Sequence, residues 1–528
     1  MKYLSFLLFC LITTTLLSQE QFTVNEGKMF FEEKKHTYLD FTIKDNQGGY
    51  VLIRPDYSST IGGFKPKGFF IEHYDKNLNM LKLSKYGDKK TKILYAFILE
   101  NKLHIIEGKT NLARLRNRTV KLIAKTAELD NFSFTENEFF SFNLNEKYGE
   151  ILDFFDRDRE DLENNFVKFI VSENKKIIGL NFSIKAKESE YHNTFLFDNK
   201  FNQIHHNEIA LKTKDKSFAY DNMSINEQDQ SVYLVGRYYP NLGFKKSKGQ
   251  ELNFEVYKLN NSNKKSLNLK IGGGYVGSLY PKLIGDKIYL ITCYQNMEQK
   301  FQRGLAFFEV DHENFEVSNK FLIPVKQGLL NDNLPGKGLF NGMFSNSFNN
   351  KYLFNFRLKN LYKTEENDFL LVAEEYYRYQ QSNGQNSVPM DYHGGILTLR
   401  FTDEGKVKAC TLIDKNQFDA PQSSNYNSVL NIYNDSKIHY LFNYKKKKEG
   451  KKGDKVKFKS SGKRKLNLVL ITVDSQGNVI ENNIKPYKDG ANSFMVRSGY
   501  HDKELKELLL FGNNPKEKKK QLMKLSFD

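Results

Sequence analysis

At 528 residues the chain exceeds what one hydrophobic core usually supports, so it holds either several domains or one closed array of repeats. Its 44 Phe and 30 Tyr are too many for a disordered polymer, and 39% hydrophobic residues are too few for a multi-span membrane protein. The 80 Lys and Arg against 63 Asp and Glu leave a net charge of +17, most of it carried by one segment in the last fifth of the chain.

Lys2 is followed by an apolar run from Leu4 to Leu17, interrupted by Thr13 to Thr15, and the small Ser18 precedes the polar Gln19-Glu20-Gln21. Such a run falls short of the roughly 20 residues that cross a bilayer, so residues 1–18 read as a cleaved export signal and residues 19–528 as the mature domain. Cys10 lies in the middle of the run, whereas a lipidated cysteine stands at its end. Cleavage leaves Cys293 and Cys410, in strand-like stretches of different repeats, and these are expected as buried free thiols. With no C-x-x-C pair, H-E-x-x-H motif or Cys/His cluster, neither a metal nor a cofactor is expected.

Along the mature chain one motif recurs: an alternating strand, then Asp or Asn, a short polar turn and another strand. Its instances are FFIEHYD at Asp75, VKLIAKTAELD at Asp130, NTFLFD at Asp198, NFEVYKLN at Asn260, LAFFEVD at Asp311, ILTLRFTD at Asp403, LNLVLITVD at Asp474 and QLMKLSFD at Asp528. Each follows a more apolar run, among them GYVLIRP from Gly49, SVYLVGRYY from Ser231, DFLLVAEEYY from Asp368 and KELLLFGNN from Lys506. Ahead of several lies a third run, such as TYLDFTIKD from Thr37 or KILYAFILE from Lys92. The unit is four antiparallel strands, A to D. About eight such meanders in series, with little helical periodicity between them, predict an all-β fold, a single β-propeller; seven blades is the alternative count.

The motif recurs about every 65 residues, against about 40 to 50 for compact blades, so the surplus is expected in loops. Much of it falls between strands B and C, as at Ser58 to Gly68, Gln380 to His393 and Lys445 to Lys465, while Asn145 to Asn165 reads as a connection with a short helix. The final repeat stops at its Asp, one strand short, and the first has a surplus stretch, Gln21 to Phe31. An unpaired blade edge would expose backbone N–H and C=O groups, so this N-terminal strand is expected to complete the last blade.

Lys445 to Lys465 contains twelve Lys or Arg against Glu449 and Asp454, and reads as a flexible basic tongue. Peripheral contact of this loop with anionic surfaces is the partner it implies; export argues against nucleic acid. In a propeller the B-to-C and D-to-A connections share one end, opposite the tight turns, and binding residues favour long loops on a rigid scaffold. At the B-strand ends stand Arg54 and Tyr57; Arg237, Tyr238 and Tyr239; Tyr294; and Tyr376, Tyr377, Arg378 and Tyr379. Tyr and Arg are favoured at recognition hot spots, which makes these the candidate binding residues.

No catalytic motif stands out. There is no G-x-S-x-G elbow; the paired glycines, Gly394-Gly395 among them, read as turns needing positive φ; and DRDRED from Asp156 lacks the glycine of a calcium loop. Glu374 and Glu375 alternate across a strand and read as strand surface, as do most of the ten histidines.

The segments DFLLVAEEYYRY, HGGILTLRFTDEGKVKACTLIDKNQ and ELLLFGNNPKEKKKQLMKLSFD resemble a broad set of exported, largely uncharacterised propeller-like repeat proteins of Bacteroidota. The resemblance implies a Gram-negative envelope location and a non-catalytic role, and it transfers no site residues. Members sent to the medium usually carry a C-terminal sorting domain, whereas this chain ends inside its last blade. The expected location is therefore periplasmic or outer-membrane associated, with the extracellular medium as alternative. The expected function is a binding or scaffold propeller engaging an envelope protein or glycan through its long-loop end, as a monomer or a subunit of a larger complex. A polysaccharide-active hydrolase or lyase with a site in the central channel is the alternative.

Overall fold

The computed structural model describes residues 22–32, 39–60, 63–111, 118–144, 167–185, 189–212, 216–240, 253–261, 263–271, 274–276, 278–296, 303–324, 356–382, 387–420, 425–448, 457–461, 465–488, 491–514 and 518–527. The export signal, Cys10, the Asn145 to Asn165 connection and DRDRED lie outside them. The described strands assemble into eight sheets with antiparallel blade strands in the order A-B-C-D, as in a propeller; the four blade strands are consecutive in the chain in all but the last sheet, which takes its outer strand from the start of the chain. Blade 1 runs Phe41–Lys44, Tyr50–Thr60, Gly63–Tyr74, Met80–Tyr86; blade 7 runs Leu430–Asn434, Lys437–Tyr444, Asn467–Val473, Val479–Lys485. All eight Asp- or Asn-terminated motifs are C strands.

A propeller blade packs both faces on its neighbours, and the sequence answers this with B and C strands that are apolar on both sides. The core is accordingly eight slabs, one per blade junction. In the absence of Trp, phenylalanines supply the bulk. Between blades 2 and 3, Phe140 packs edge-on against Phe195 and Phe197, with ring centroids 4.8 and 5.8 Å away. Neither Cys293 nor Cys410 is in a disulfide, and both pack on the slab between blades 5 and 6; burial pushes the Cys293 thiol up to about 12.

The recurrent Asp folds the C-to-D turn. Asp75 Oδ1 accepts the N–H groups of Asn77 and Asn79, at 2.9 and 2.8 Å, and Asp198 and Asp474 repeat the arrangement. The third residue after each Asp takes positive φ: Leu78 at 65°, Phe201 at 68°, Gly477 at 89°. Leu78 and Phe201 turn their side chains into the slabs beside them, which offsets the strain of a left-handed backbone.

The ring closes as the two chain ends require. Phe22–Glu26 pairs antiparallel with the last strand, Lys519–Phe527, in the register Phe22↔Phe527 through Glu26↔Met523, and so becomes the outer strand of blade 8. Phe30–Phe31 pairs farther along the same strand. Glu32 then reaches a buried cluster: Arg54 of blade 1 donates from Nε to Glu72 at 3.0 Å and from its terminal nitrogens to Glu32 at 3.1 and 3.2 Å. The same guanidinium lies 5.7 and 5.1 Å from the ring centroids of Phe70 and Phe511. Lys520 of blade 8 stands 3.7 Å from Glu32, and burial pulls its ammonium down to about 8.

The surplus residues correct the loop expectation. In blade 6 the B and C strands, Phe369–Ser382 and Ser387–Phe401, are 14 and 15 residues long, against 8 and 7 in blade 7. The segment that reads as a loop from Gln380 to His393 is thus largely a ribbon, whose six extra residues on strand B and eight on strand C carry it at least about 20 Å beyond the blade. Blade 1 does the same over Ser58 to Gly68. The basic tongue is also corrected: Lys446–Lys448 and Lys457–Ser461 form a hairpin, and the second strand adds in parallel to the outer strand of blade 6, Val407–Asp419.

Candidate functional site

Blade 6 places one polar residue from each strand on the side facing blade 7. Glu374 on strand B is 1% exposed, and its Oε1 lies 2.7 Å from Lys415 Nζ of strand D. Its Oε2 lies 2.9 Å from Lys359 Nζ of strand A (Phe356–Lys363) and accepts from Ser428 Oγ at 2.6 Å, just before blade 7 begins. Lys415 also donates to Gln417 Oε1 at 2.8 Å, and the Gln417 amide donates to the Asn443 carbonyl at 2.8 Å. Burial alone would raise the Glu374 carboxyl, but Lys359 and Lys415 together outweigh it and hold it well below the usual range. The arrangement is a saturated ion cluster that fixes two blades in register.

His393 of strand C stands at the edge of this cluster, Nδ1 3.5 Å from Glu374 Oε2. Burial pulls it down to about 4, so it is neutral at physiological pH. Among the described residues neither its ring nitrogens nor the side-chain amide of Asn427 finds a hydrogen-bond partner.

Glu375, beside Glu374, is 5% exposed, and burial pushes its carboxyl up to about 7. It sits where a bulge breaks the register between Glu374 and Tyr376, and Gly395 N–H donates to it at 3.3 Å. A Cβ on Gly394 would run into this carboxylate. Gly394 is therefore needed for close approach, not for positive φ. The strand-surface reading of the two glutamates is likewise corrected: both faces of a blade are covered by its neighbours, so alternation exposes neither. The histidines follow the same rule, with His73, His104, His192, His205, His393 and His439 all buried.

A second cluster braces the base of the blade 6 ribbon. Asp391, fully buried, accepts from Tyr376 OH at 3.0 Å and from Arg378 Nε at 2.7 Å, and Arg497 of blade 8 lies 3.6 Å away. The guanidinium of Arg357, from the inner strand, lies 3.6 Å from the centroid of the Tyr376 ring. The ribbon is thus tied both to the channel wall and across blade 7 to blade 8. At the opposite, short-turn end, Lys503 of blade 8 pairs with Glu173 of blade 3 at 3.0 Å. These blades are three places apart in the ring, so the pair spans the channel.

The candidate binding residues fall on four blades. Arg54 is buried in the closure cluster, Tyr294 in the slab between blades 4 and 5, and Tyr376 under Arg357; all three are held by internal partners and form no free surface. Their apolar or ion-paired surroundings put them inside blade junctions. Tyr57 is half-buried on the blade 1 ribbon. Arg237, Tyr238 and Tyr239 lie on strand B of blade 4, opposite Ala219, Phe218 and Ser217. Tyr377, Arg378 and Tyr379 lie together on the blade 6 ribbon, opposite Tyr392, Asp391 and Met390. Sequence reading took Glu374 and Glu375 for strand surface and did not single out Asp391, His393 or Lys415. The signal was there: three successive strands of one repeat carry charged or imidazole groups inside apolar runs. Among the described residues no group of three or more His, Cys, Asp or Glu converges to hold a metal ion, and no helix is long and apolar enough to cross a membrane.

No protein-family model matches the chain, and no curated protein does. Solved structures that match are propellers or contain them. The β-propeller domain of the trilobed protease from Pyrococcus furiosus, described as having an open velcro topology, is 11% identical over 85% of this chain and 100% of that one, with a TM-score of 0.35. Polysaccharide lyase Uly1 is 10% identical over 96% and 100%, with a TM-score of 0.37. Prolyl oligopeptidase B from Galerina marginata is 8% identical over 91% and 55%, with a TM-score of 0.39. The propeller assignment stands on the sheet order of this chain, and no residue takes a role from these structures.

Proposed function

We propose that the protein is a non-catalytic binding or scaffold propeller of the cell envelope, exported by its leader, that engages an envelope protein or glycan across its long-loop end. The observation that carries this reading is the blade 6 ribbon, whose strand B carries Tyr377, Arg378 and Tyr379 in sequence and is braced at its base by Asp391. A braced ribbon loses little freedom on binding, and Tyr and Arg give much contact area for few rotatable bonds. The charged groups beneath are engaged with one another, Glu374 with two lysines and Asp391 with two arginines, an arrangement suited to holding shape.

Crosslinking mass spectrometry on intact cells with a tagged copy, alongside retention of isolated envelope glycans, tests the reading. A reproducible partner that the double variant Tyr377→Ala, Tyr379→Ala no longer captures is expected. Recovery of neither a protein nor a glycan refutes it. A hydrolase or lyase acting on a polysaccharide in the channel is the second reading, and it requires turnover of a polysaccharide by the purified chain.

A further inference from the structure

The connection between strands B and C of blade 7 does not behave as a solvated lysine loop would. Its second strand, Lys457–Ser461, adds in parallel to blade 6 from Asp414↔Lys457 to Phe418↔Ser461. Phe458 is 3% exposed, with its ring 5.2 and 5.3 Å from those of Phe442 and Tyr444. Lys445 N–H donates to the Lys459 carbonyl at 2.8 Å. The hairpin is therefore rooted in the core while nine of the 17 residues from Lys445 to Ser461 are lysines.

Its register sets like charges opposite each other: Lys446 faces Lys459 and Lys448 faces Lys457. Facing like charges disfavour a strand pair, and an anion seated between them relieves the repulsion. By strand alternation these four positions share the face opposite Phe458. The acidic residue in register with them is Asp414, beside Lys457. Lys445, Lys459 and Lys465 are exposed, and among the described residues no carboxylate pairs with them. Same-face positions recur about every 7 Å along a strand and about 5 Å across the pair, a grid suited to a linear polymer with repeating negative charge.

We propose that the paired strands Lys446–Lys448 and Lys457–Ser461 are a binding site for a linear acidic glycan, held through its carboxylate or sulfate groups. The inference rests on the binding-propeller reading and names its ligand class. Its described residues, Lys445 to Lys448 and Lys457 to Ser461, offer no apolar residue for insertion into a membrane other than Phe458, which is buried, and for the same reason no free aromatic ring for stacking a nucleic-acid base.

The mature chain is tested by biolayer interferometry on immobilised polygalacturonate, heparin and neutral dextran, and on vesicles of phosphatidylglycerol. Expected is binding to at least one polyanion and none to dextran, weakening at least about tenfold at 0.5 M salt as the charges are screened. The variant Lys446→Gln, Lys448→Gln, Lys457→Gln, Lys459→Gln should lose about tenfold or more in affinity, and Lys→Arg at the same positions should retain it. Should the glutamine variant melt early, Lys445→Glu with Lys459→Glu, at exposed positions, must show the same loss. Polygalacturonate alone assigns carboxylate and heparin alone sulfate. The proposal is overturned if the parent binds neither polyanion, if the glutamine variant binds like the parent, or if only vesicles bind. Partner capture through Tyr377 and Tyr379 is read separately, so the two readings fail independently.

Discussion

Replacing Arg54 with Ala strips the closure cluster of its cation. Glu72, 1% exposed, would lose both guanidinium contacts and keep only the Tyr74 hydroxyl, which donates to it at 3.0 Å; Glu32 would keep Lys520 at 3.7 Å. Removing one partner of a buried ion pair costs about 3–5 kcal/mol, because the other charge stays desolvated. Unfolding entropy near 2.1 cal/mol/K per residue gives a chain of this size about 1 kcal/mol/K, so the melting temperature should fall by about 3–5 °C. The chain has no Trp, so differential scanning calorimetry at fixed scan rate is the assay of choice. The double variant Arg54→Met, Glu72→Gln should recover much of the loss, since the orphaned charge is gone. A single variant within about 1 °C of the parent would refute the view that this cluster fastens the ring.

Glu375→Gln tests the sign of a perturbed carboxyl. Its folded pKa, about 7, lies above the ordinary 4.5, so the folded state is unpenalised below pH 4.5 and loses stability as pH rises through 7. The amide should therefore raise the melting temperature at pH 8 and leave it unchanged at pH 4; equal effects at both would contradict the assignment. Asp391→Ala removes the acceptor shared by Tyr376 and Arg378 and should speed hydrogen exchange of Tyr376 to Ser382 while blade 1 amides stay protected. Phe458→Ala should cost about 3–5 kcal/mol and release the hairpin, read as lost exchange protection over Lys457 to Ser461; unchanged protection would mean the parallel pairing alone holds it.

The repeat was legible because a four-stranded blade imposes local constraints: a period-2 C strand, an Asp that accepts two turn N–H groups, and an apolar B strand. Closure was legible for the same reason, as one missing strand and one surplus strand must meet. The ribbons were not, because their sequence, as at Gln380 to Val388, lacks the apolar alternation of a blade strand and reads as loop. Arg54 misled for a related reason. A cation ending an apolar strand looks like a binding residue until Glu32 and Glu72, 22 positions before it and 18 after, are seen to converge on it. Glu374 and Lys415 were hidden by the same distance, since a partner 41 residues away leaves no local pattern.

Pairing Phe22 with Phe527 also fixes the order of assembly. A ribosome releases the first blade long before its fastening strand has anything to hold, so the leading segment must wait, unpaired, until the final residues emerge. The slowest native contact is then the one of greatest sequence separation, and the finished ring should behave as a latch whose release precedes unravelling of the rest. It also leaves head and tail side by side on one outer edge, so a permuted chain, joined there and opened between two other blades, should reach the same toroid.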